Sequence, residues 1–175
     1  MALRRNDLTV GQTVSLDQYV SSTPGHMPHT NWREPTAMQL KLKLFLDHCT
    51  KFMFVFSQVS LGAGETPVTK QTFESILKSF GFAVSNYHDD NGVFKTQAFM
   101  DDCNRKQQQI TFSSTGAHHQ NGVAEHSIQT VVSWARTLLL HAAIHWPEMA
   151  DLKLWPFAIQ KLSPLELISG SRGPN

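Results

Sequence analysis

Apolar residues change their period along this chain in a fixed order, and that order restricts the fold more than any single motif does. Thr13 to Tyr19 alternates apolar and polar. Leu40 to Asp47 and Phe52 to Val59 are apolar runs of strand length, separated by His48-Cys49-Thr50-Lys51, which reads as a hairpin turn. Beyond the breaker Gly62-Ala63-Gly64-Glu65-Thr66-Pro67 the spacing becomes helical. Val68, Phe73, Ile76, Leu77 and Phe80 predict a helix from about residue 68 to 80, closed by Gly81 as C-cap. A strand over 83–88, a helix over about 96–105, a strand over 110–112, a long helix from Gly122 to about His141 and a last helix over about 148–160 follow. Residues 21–36 and 113–121 read as loops. Three strands, then alternating helix and strand, then helices, specify an α/β domain with a mixed five-stranded sheet flanked by helices. A chain of 175 residues, 41% of them apolar, is long enough for one such core. The organisation read from this is a tail over 1–10, a core over 11–160 and a C-terminal tail over 161–175.

Charge and cysteine usage exclude several classes. Lys plus Arg number 15 against 14 Asp plus Glu, for a formal charge of +1. Any nucleic-acid surface must therefore be local. Cys49 and Cys103 have no CxxC partner and lie far apart, which argues against a disulfide framework or zinc finger and for a reducing intracellular compartment. No stretch approaches about 18 uninterrupted apolar residues, and no apolar segment follows Arg4-Arg5, so neither a membrane association nor a secretory leader is expected.

Three carboxylates stand in settings suited to holding metal: Asp17 at the end of Thr13-Val14-Ser15-Leu16-Asp17, Asp90 in Tyr87-His88-Asp89-Asp90-Asn91-Gly92, and Glu125 closing Gln120-Asn121-Gly122-Val123-Ala124-Glu125. Asp17 and Asp90 fall at or near strand ends, and Glu125 in the first turn of a helix whose stripe Ala124, Ile128, Val131, Ala135, Leu138 and Ala142 is expected to be buried. Glu125, Gln129, Val132 and Arg136 occupy an adjacent face. Brought together, the three carboxylates could hold two hard cations that clamp the attacking and leaving oxygens of a phosphoryl transfer. Singly, each has an ordinary reading: an acid in a first helical turn complements the helix dipole, and Asp beside Asn-Gly is common in turns.

The Asp-Asn-Gly segment after a strand, and Gln120-Asn121-Gly122-Val123-Ala124-Glu125 opening a helix, resemble the second and third catalytic segments of the copia-type LTR-retrotransposon integrases, a branch of the retroviral-type integrases in the RNase H-like superfamily. Leu154-Trp155-Pro156-Phe157-Ala158 is similar to a later helix of that family. The resemblance runs from about Gly11 to Gly170, and Gln-Asn-Gly-Val-Ala-Glu is its most specific part. It implies an RNase H-like fold and a two-metal polynucleotidyl transferase that trims retrotransposon DNA ends and joins them to a target duplex. Asp17, Asp90 and Glu125 would hold Mg²⁺ or Mn²⁺, with no covalent nucleophile. The partner would be DNA, the state homo-oligomeric, the location nuclear for an active copy, and no small-molecule substrate is expected.

The polar run Ala117-His118-His119-Gln120-Asn121 reads as a loop that can close on substrate, so His119, Gln120, Asn121 and Gln129 are candidate nucleic-acid contacts. The chain departs from the family in three places. Residues 91–124 number 34, one short of the family spacing. Residues 126–135 carry no Lys or Arg, where relatives carry several. Gln160-Lys161-Leu162 runs directly into Ser163-Pro164-Leu165-Glu166, where relatives place a longer stretch, so a deletion is expected there. With no His-His-Cys-Cys segment before the core, the sequence reads as one piece of a polyprotein.

Other signals carry less. Asp47 resembles a non-catalytic family Asp and is read as structural or surface, though it is the rival for the first site. Asp89 should point to the face opposite Asp90. Asp101 and Asp102 are expected to be solvated. His141 and His145 have i, i+4 spacing but no third ligand. Gly62-x-Gly64 lacks the Gly-Lys-Ser/Thr of a phosphate loop, and Trp134, Trp146 and Trp155 are read as packing a core or a partner surface. Three functions remain open: an integrase core, a decayed or domesticated copy that binds without catalysis, and a hydrolytic RNase H-like nuclease, for which a fourth acidic residue is missing.

Overall fold

In the computed structural model, residues 8–24, 39–58, 65–90, 94–113 and 122–162 are described. Strands β1 (Val14–Pro24), β2 (Gln39–Asp47), β3 (Met53–Gln58), β4 (Asn86–Asp89) and β5 (Gln109–Phe112) form one sheet in the order β3-β2-β1-β4-β5. The β1–β2 and β2–β3 pairs are antiparallel, while β1–β4 and β4–β5 are parallel. The sheet is therefore mixed and five-stranded, as the order of periods predicts. Helices α1 (Glu65–Ser79), α2 (Gln97–Arg105), α3 (Gly122–His145) and α4 (Trp155–Lys161) flank it.

Alternation along the strands supplies two cores, one on each face. Leu42, Leu44 and Leu46 of β2 pack with Val55 against Ala124, Ile128, Val131, Val132 and Ala135 of α3 and Trp155, Ala158 and Ile159 of α4. Val14 and Leu16 of β1, Phe45, Phe54 and Tyr87 point the other way, onto Phe73 and Leu77 of α1 and Phe99 and Cys103 of α2. Each fully buried Leu or Phe contributes roughly 1.5–3 kcal/mol of transfer free energy. Phe45 is the hub of the second core: its ring stacks on Phe73 at 4.8 Å and meets Phe56, Tyr87 and Phe94 edge-on.

Gly11 fixes where β1 begins. Its φ is +78°, and a Cβ there would lie 2.3 Å from the Ala83 carbonyl oxygen, so no other residue fits without displacing the backbone that leads into β4. Gly81, at φ +82°, closes α1 as expected, with the Phe82 N–H donating to the Leu77 carbonyl.

Several boundaries and environments differ from the sequence reading. Strand β1 runs on to Pro24, into the segment read as loop. The last helix starts at Trp155 instead of residue 148: Pro147 ends α3, residues 147–149 form a turn, and Pro156 sits in the first turn of α4. Strand β4 starts at Asn86, three residues later than expected. On α1, Val68 and Phe80 are exposed, because the buried face is set by Thr66, Thr69, Lys70, Phe73 and Leu77. On α3, Val132 is buried and Leu138 is exposed, because beyond Ala135 the packed stripe passes through Leu139, which lies against the α3–α4 core.

Asp102 is not solvated as expected but 2% exposed. It accepts from Lys70, itself fully buried, at 2.6 Å, and also pairs with Lys106 and Arg105. Lys70 donates further to Glu74 and Gln108, and Glu74 accepts from the Tyr87 hydroxyl at 2.8 Å. This ionic knot ties α1 to α2 behind the sheet. Asp101 is exposed and accepts from Gln97, as a solvated helix acid does.

Candidate active site

Register places the first two carboxylates side by side. Asp17 lies opposite Leu44, whose side chain belongs to the core under α3 and α4, so Asp17 shares that face. Ser15 pairs with His88 across β1 and β4. Two residues further along both chains, Asp17 is level with Asp90, on neighbouring strands that a parallel sheet spaces about 4.8 Å apart. Asp90 follows directly after β4, where the chain leaves the sheet edge. Asp89 alternates to the other face, beside Tyr87, and is 1% exposed.

Glu125 reaches the same face from α3. Its neighbour Ala124 is fully buried against β2, which holds the first turn of the helix down on the sheet and leaves Glu125 half-buried beside it. The electrostatics register this proximity. Burial pushes the Asp17 carboxyl up to about 6, opposed by the Gln18 N–H that donates to it at 2.7 Å and reinforced by the negative charges of Asp90 and Glu125. Asp90 and Glu125 thus both act on Asp17 through space.

Asp47 stands apart from them. Paired with Val14, it faces the α1–α2 side, is 1% exposed, and accepts from the Gly11 N–H at 2.9 Å and from the Thr50 N–H and hydroxyl at 2.8 and 2.6 Å. All these donors hold the β2–β3 turn and the entry to β1, so its role is structural.

Among the described residues, no three His, Cys, Asp or Glu side chains stand ready-made to hold a metal ion. The donor chemistry of Asp17, Asp90 and Glu125, all carboxylate oxygen, nevertheless matches a hard divalent cation. His119, Gln120 and Asn121 lie outside the described residues, as does Gly62-x-Gly64. Gln129 is exposed one turn beyond Glu125. His141 and His145 are exposed with ring centroids 4.3 Å apart. Trp155 is buried edge-on to Tyr19, whereas Trp134 and Trp146 are about half exposed.

A second row on the carboxylate face escaped the sequence reading. His48 Nε2 and Ser15 Oγ are 2.7 Å apart, and His88 lies within hydrogen-bond distance of Thr111 and Ser113. Burial lowers the His48 pKa, and the nearby Lys51 and His88 lower it further, against the pull of Asp47. The signal for two of these was present: Ser15-x-Asp17 and His88-x-Asp90 are the same-face spacing of a strand. His48 comes from the turn after β2, and only the fold brings it there.

No family model and no curated protein matches this chain in sequence. Solved structures do match in shape. The HTLV-2 integrase catalytic core domain in complex with magnesium aligns in its trimeric form with a TM-score of 0.57 and 15% identity, over 86% of this chain and 81% of that one. The dimeric form aligns with the same score and identity over 89% and 88%. A chain of the simian T-cell lymphotropic virus intasome in complex with the PP2A regulatory subunit B56 gamma aligns at 0.60 and 13% identity, over 94% of this chain and 56% of that one. The fold is that of an integrase catalytic core, an RNase H-like α/β domain.

Proposed function

We propose that this chain is an integrase-type catalytic core, a divalent-cation-dependent polynucleotidyl transferase acting on DNA ends and a target duplex, of the copia-type retrotransposon branch. The observation that supports the reading is geometric: Asp17 on β1, Asp90 just after β4 and Glu125 in the first turn of α3 lie toward one sheet face. Like charges held this close favour an added cation over coexistence bare.

In this reading Asp17, Asp90 and Glu125 would hold Mg²⁺ or Mn²⁺, as the magnesium-bound HTLV-2 core is consistent with. Such ions supply activation of a water or 3′-hydroxyl and stabilisation of the departing oxygen. The chain's own residues do the positioning. The β1–β4 register sets the Asp17–Asp90 separation, burial of Ala124 aims Glu125, and Gln129, with His119, Gln120 and Asn121, is assigned to the DNA. The protein is proposed to self-associate, as the dimeric and trimeric HTLV-2 forms do, and to act in the nucleus. Among the described residues no helix is long and apolar enough to cross a membrane.

The test is Mg²⁺- or Mn²⁺-dependent strand transfer by the purified chain, compared with Asp90→Asn. Transfer by the parent and none by the variant is the expected result; equal activity, or activity insensitive to chelation, sinks the proposal. One second reading has an observation behind it, the absence of Lys and Arg from residues 126–135 on the helix that carries Glu125. A copy that keeps the fold and binds without catalysis would bind metal yet transfer no strand.

A further inference from the structure

Two exposed histidines stand together at the C-terminal end of α3, outside the candidate active site. His141 and His145 are one turn apart, so both rings leave the same side of the helix. Their ring centroids lie 4.3 Å apart. An imidazole nitrogen about 2.0 Å from a metal ion puts its ring centre about 3.2 Å from that ion, so two rings bound at a right angle would be centred about 4.5 Å apart, and at the tetrahedral angle about 5.2 Å. The pair is already spaced for adjacent corners of a square or an octahedron. A tetrahedral ion would have to push the rings apart. The surroundings also favour a cation. Because α3 ends at His145, its last carbonyls put the negative end of the helix dipole beside the pair. No Lys or Arg occurs from Thr137 to Leu152, whereas Glu148 and Asp151 follow the helix. Among the described residues no hydrogen bond or ion pair ties up either ring; their aromatic neighbours are each other and Trp146.

We propose that His141 and His145 chelate a divalent transition-metal ion, Cu²⁺ or Ni²⁺ in preference to Zn²⁺, with water in the remaining coordination positions. Imidazole suits these borderline ions, and the right-angle spacing selects those that take square or octahedral geometry. The site differs in place and in chemistry from Asp17, Asp90 and Glu125, whose oxygens suit Mg²⁺ or Mn²⁺. Neither proposal depends on the other. An ion held by both rings also joins the two ends of the last turn of α3, so it fixes that turn while leaving its open positions free to exchange.

The test is titration of the whole untagged chain with Cu²⁺, Ni²⁺ and Zn²⁺ in excess Mg²⁺, read by calorimetry and by tryptophan fluorescence, with circular dichroism to confirm that each variant is folded. An open-shell ion on the pair should quench Trp146, whose ring is centred 5.9 Å from that of His145. His141→Ala and His145→Ala should each raise the dissociation constant at least about tenfold, because one imidazole is left without its chelate partner. His145→Ala with Ala143→His keeps the number of histidines but sets them two residues apart, on nearly opposite sides of the helix, and should bind as weakly as the single variants. Trp146→Phe should keep the affinity and lose most of the quenching. His118→Ala with His119→Ala should keep both. A parent that binds no more tightly than His141→Ala or His145→Ala overturns the site, as does a relocated pair that matches the parent. Loss of binding in the His118 and His119 variant, with none in the others, also overturns it. Zn²⁺ binding more tightly than Ni²⁺ overturns the right-angle geometry.

Discussion

At the scale of single residues, Asp17 carries the highest cost in the candidate site. Its carboxyl, buried and facing two other acids, titrates near 6 where an unfolded Asp titrates near 3.8. Between those values the native state holds a proton that the unfolded state has lost, so stability falls as pH rises from about 4 to about 6 and stays reduced above. In metal-free protein Asp17→Asn removes that penalty. It should stabilise the domain by on the order of 1–3 kcal/mol at pH 7.5 and by little at pH 4. Thermal melts of both proteins in chelator across that range check it; a variant less stable than the parent at pH 7.5 would refute the electrostatic account. Asp47 shows the opposite design, a buried acid surrounded by three donors. Asp47, read from the sequence as structural or surface, is held by the turn whose donors need its oxygens.

Among elements, the α1–α2 clamp was the least legible part. Asp102 reads as a solvated mid-helix acid because its main partner, Lys70, is 32 positions away on another helix. No local pattern reports a pair that only packing creates. Burial alone would raise Asp102, but hydrogen bonds from Lys70, Lys106 and Arg105 outweigh it and hold the carboxyl well below the usual range; Glu74 is lowered in the same way by Lys106, Lys70 and Gln108. Acids depressed in the fold stabilise it above their unfolded pKa and lose that contribution as pH falls below about 4. Lys70→Met leaves Asp102 buried with weaker compensation and should cost about 3–5 kcal/mol, read as a lowered denaturation midpoint. A loss under about 1 kcal/mol would show that Lys106 and Arg105 suffice. The α3 stripe was misplaced for a related reason: past Ala135 it is Leu139, not Leu138, that packs on the core, and a 3.6-residue period leaves i+3 and i+4 equally open. The N-terminal half of α3 makes its own prediction. His126 and Gln129 are exposed and Ser127 is half-buried. Placing Lys or Arg at these three should steepen the log-affinity against log-salt slope on duplex DNA by roughly 0.9 per productive phosphate contact, up to about 2.7. An unchanged slope would show that this face does not meet the backbone.

For the whole molecule, the order of hydrophobic periods was enough for a mixed five-stranded α/β sheet, because each strand's alternation had to feed one of two cores. It could not say which side of β1 receives β4. That adjacency, fixed by Gly11 against Ala83, puts Asp17 and Asp90 on neighbouring strands and closes α3 over the same face. Asp17 is thus buried on a face toward which Asp90 and Glu125 also turn their charge, with cores on both sides of the sheet. A cation that binds only this folded arrangement must stabilise the entire domain. At a hundred times its dissociation constant, Mg²⁺ or Mn²⁺ should add about 2.7 kcal/mol, roughly 5–10 °C in melting temperature for a chain of this length. Asp90→Asn removes one ligand charge and part of the repulsion, so it should start more stable without metal and gain much less on addition. The two effects have opposite sign, which separates site occupancy from a general response to salt. Equal shifts in parent and variant would show that the three carboxylates share a sheet face without sharing an ion.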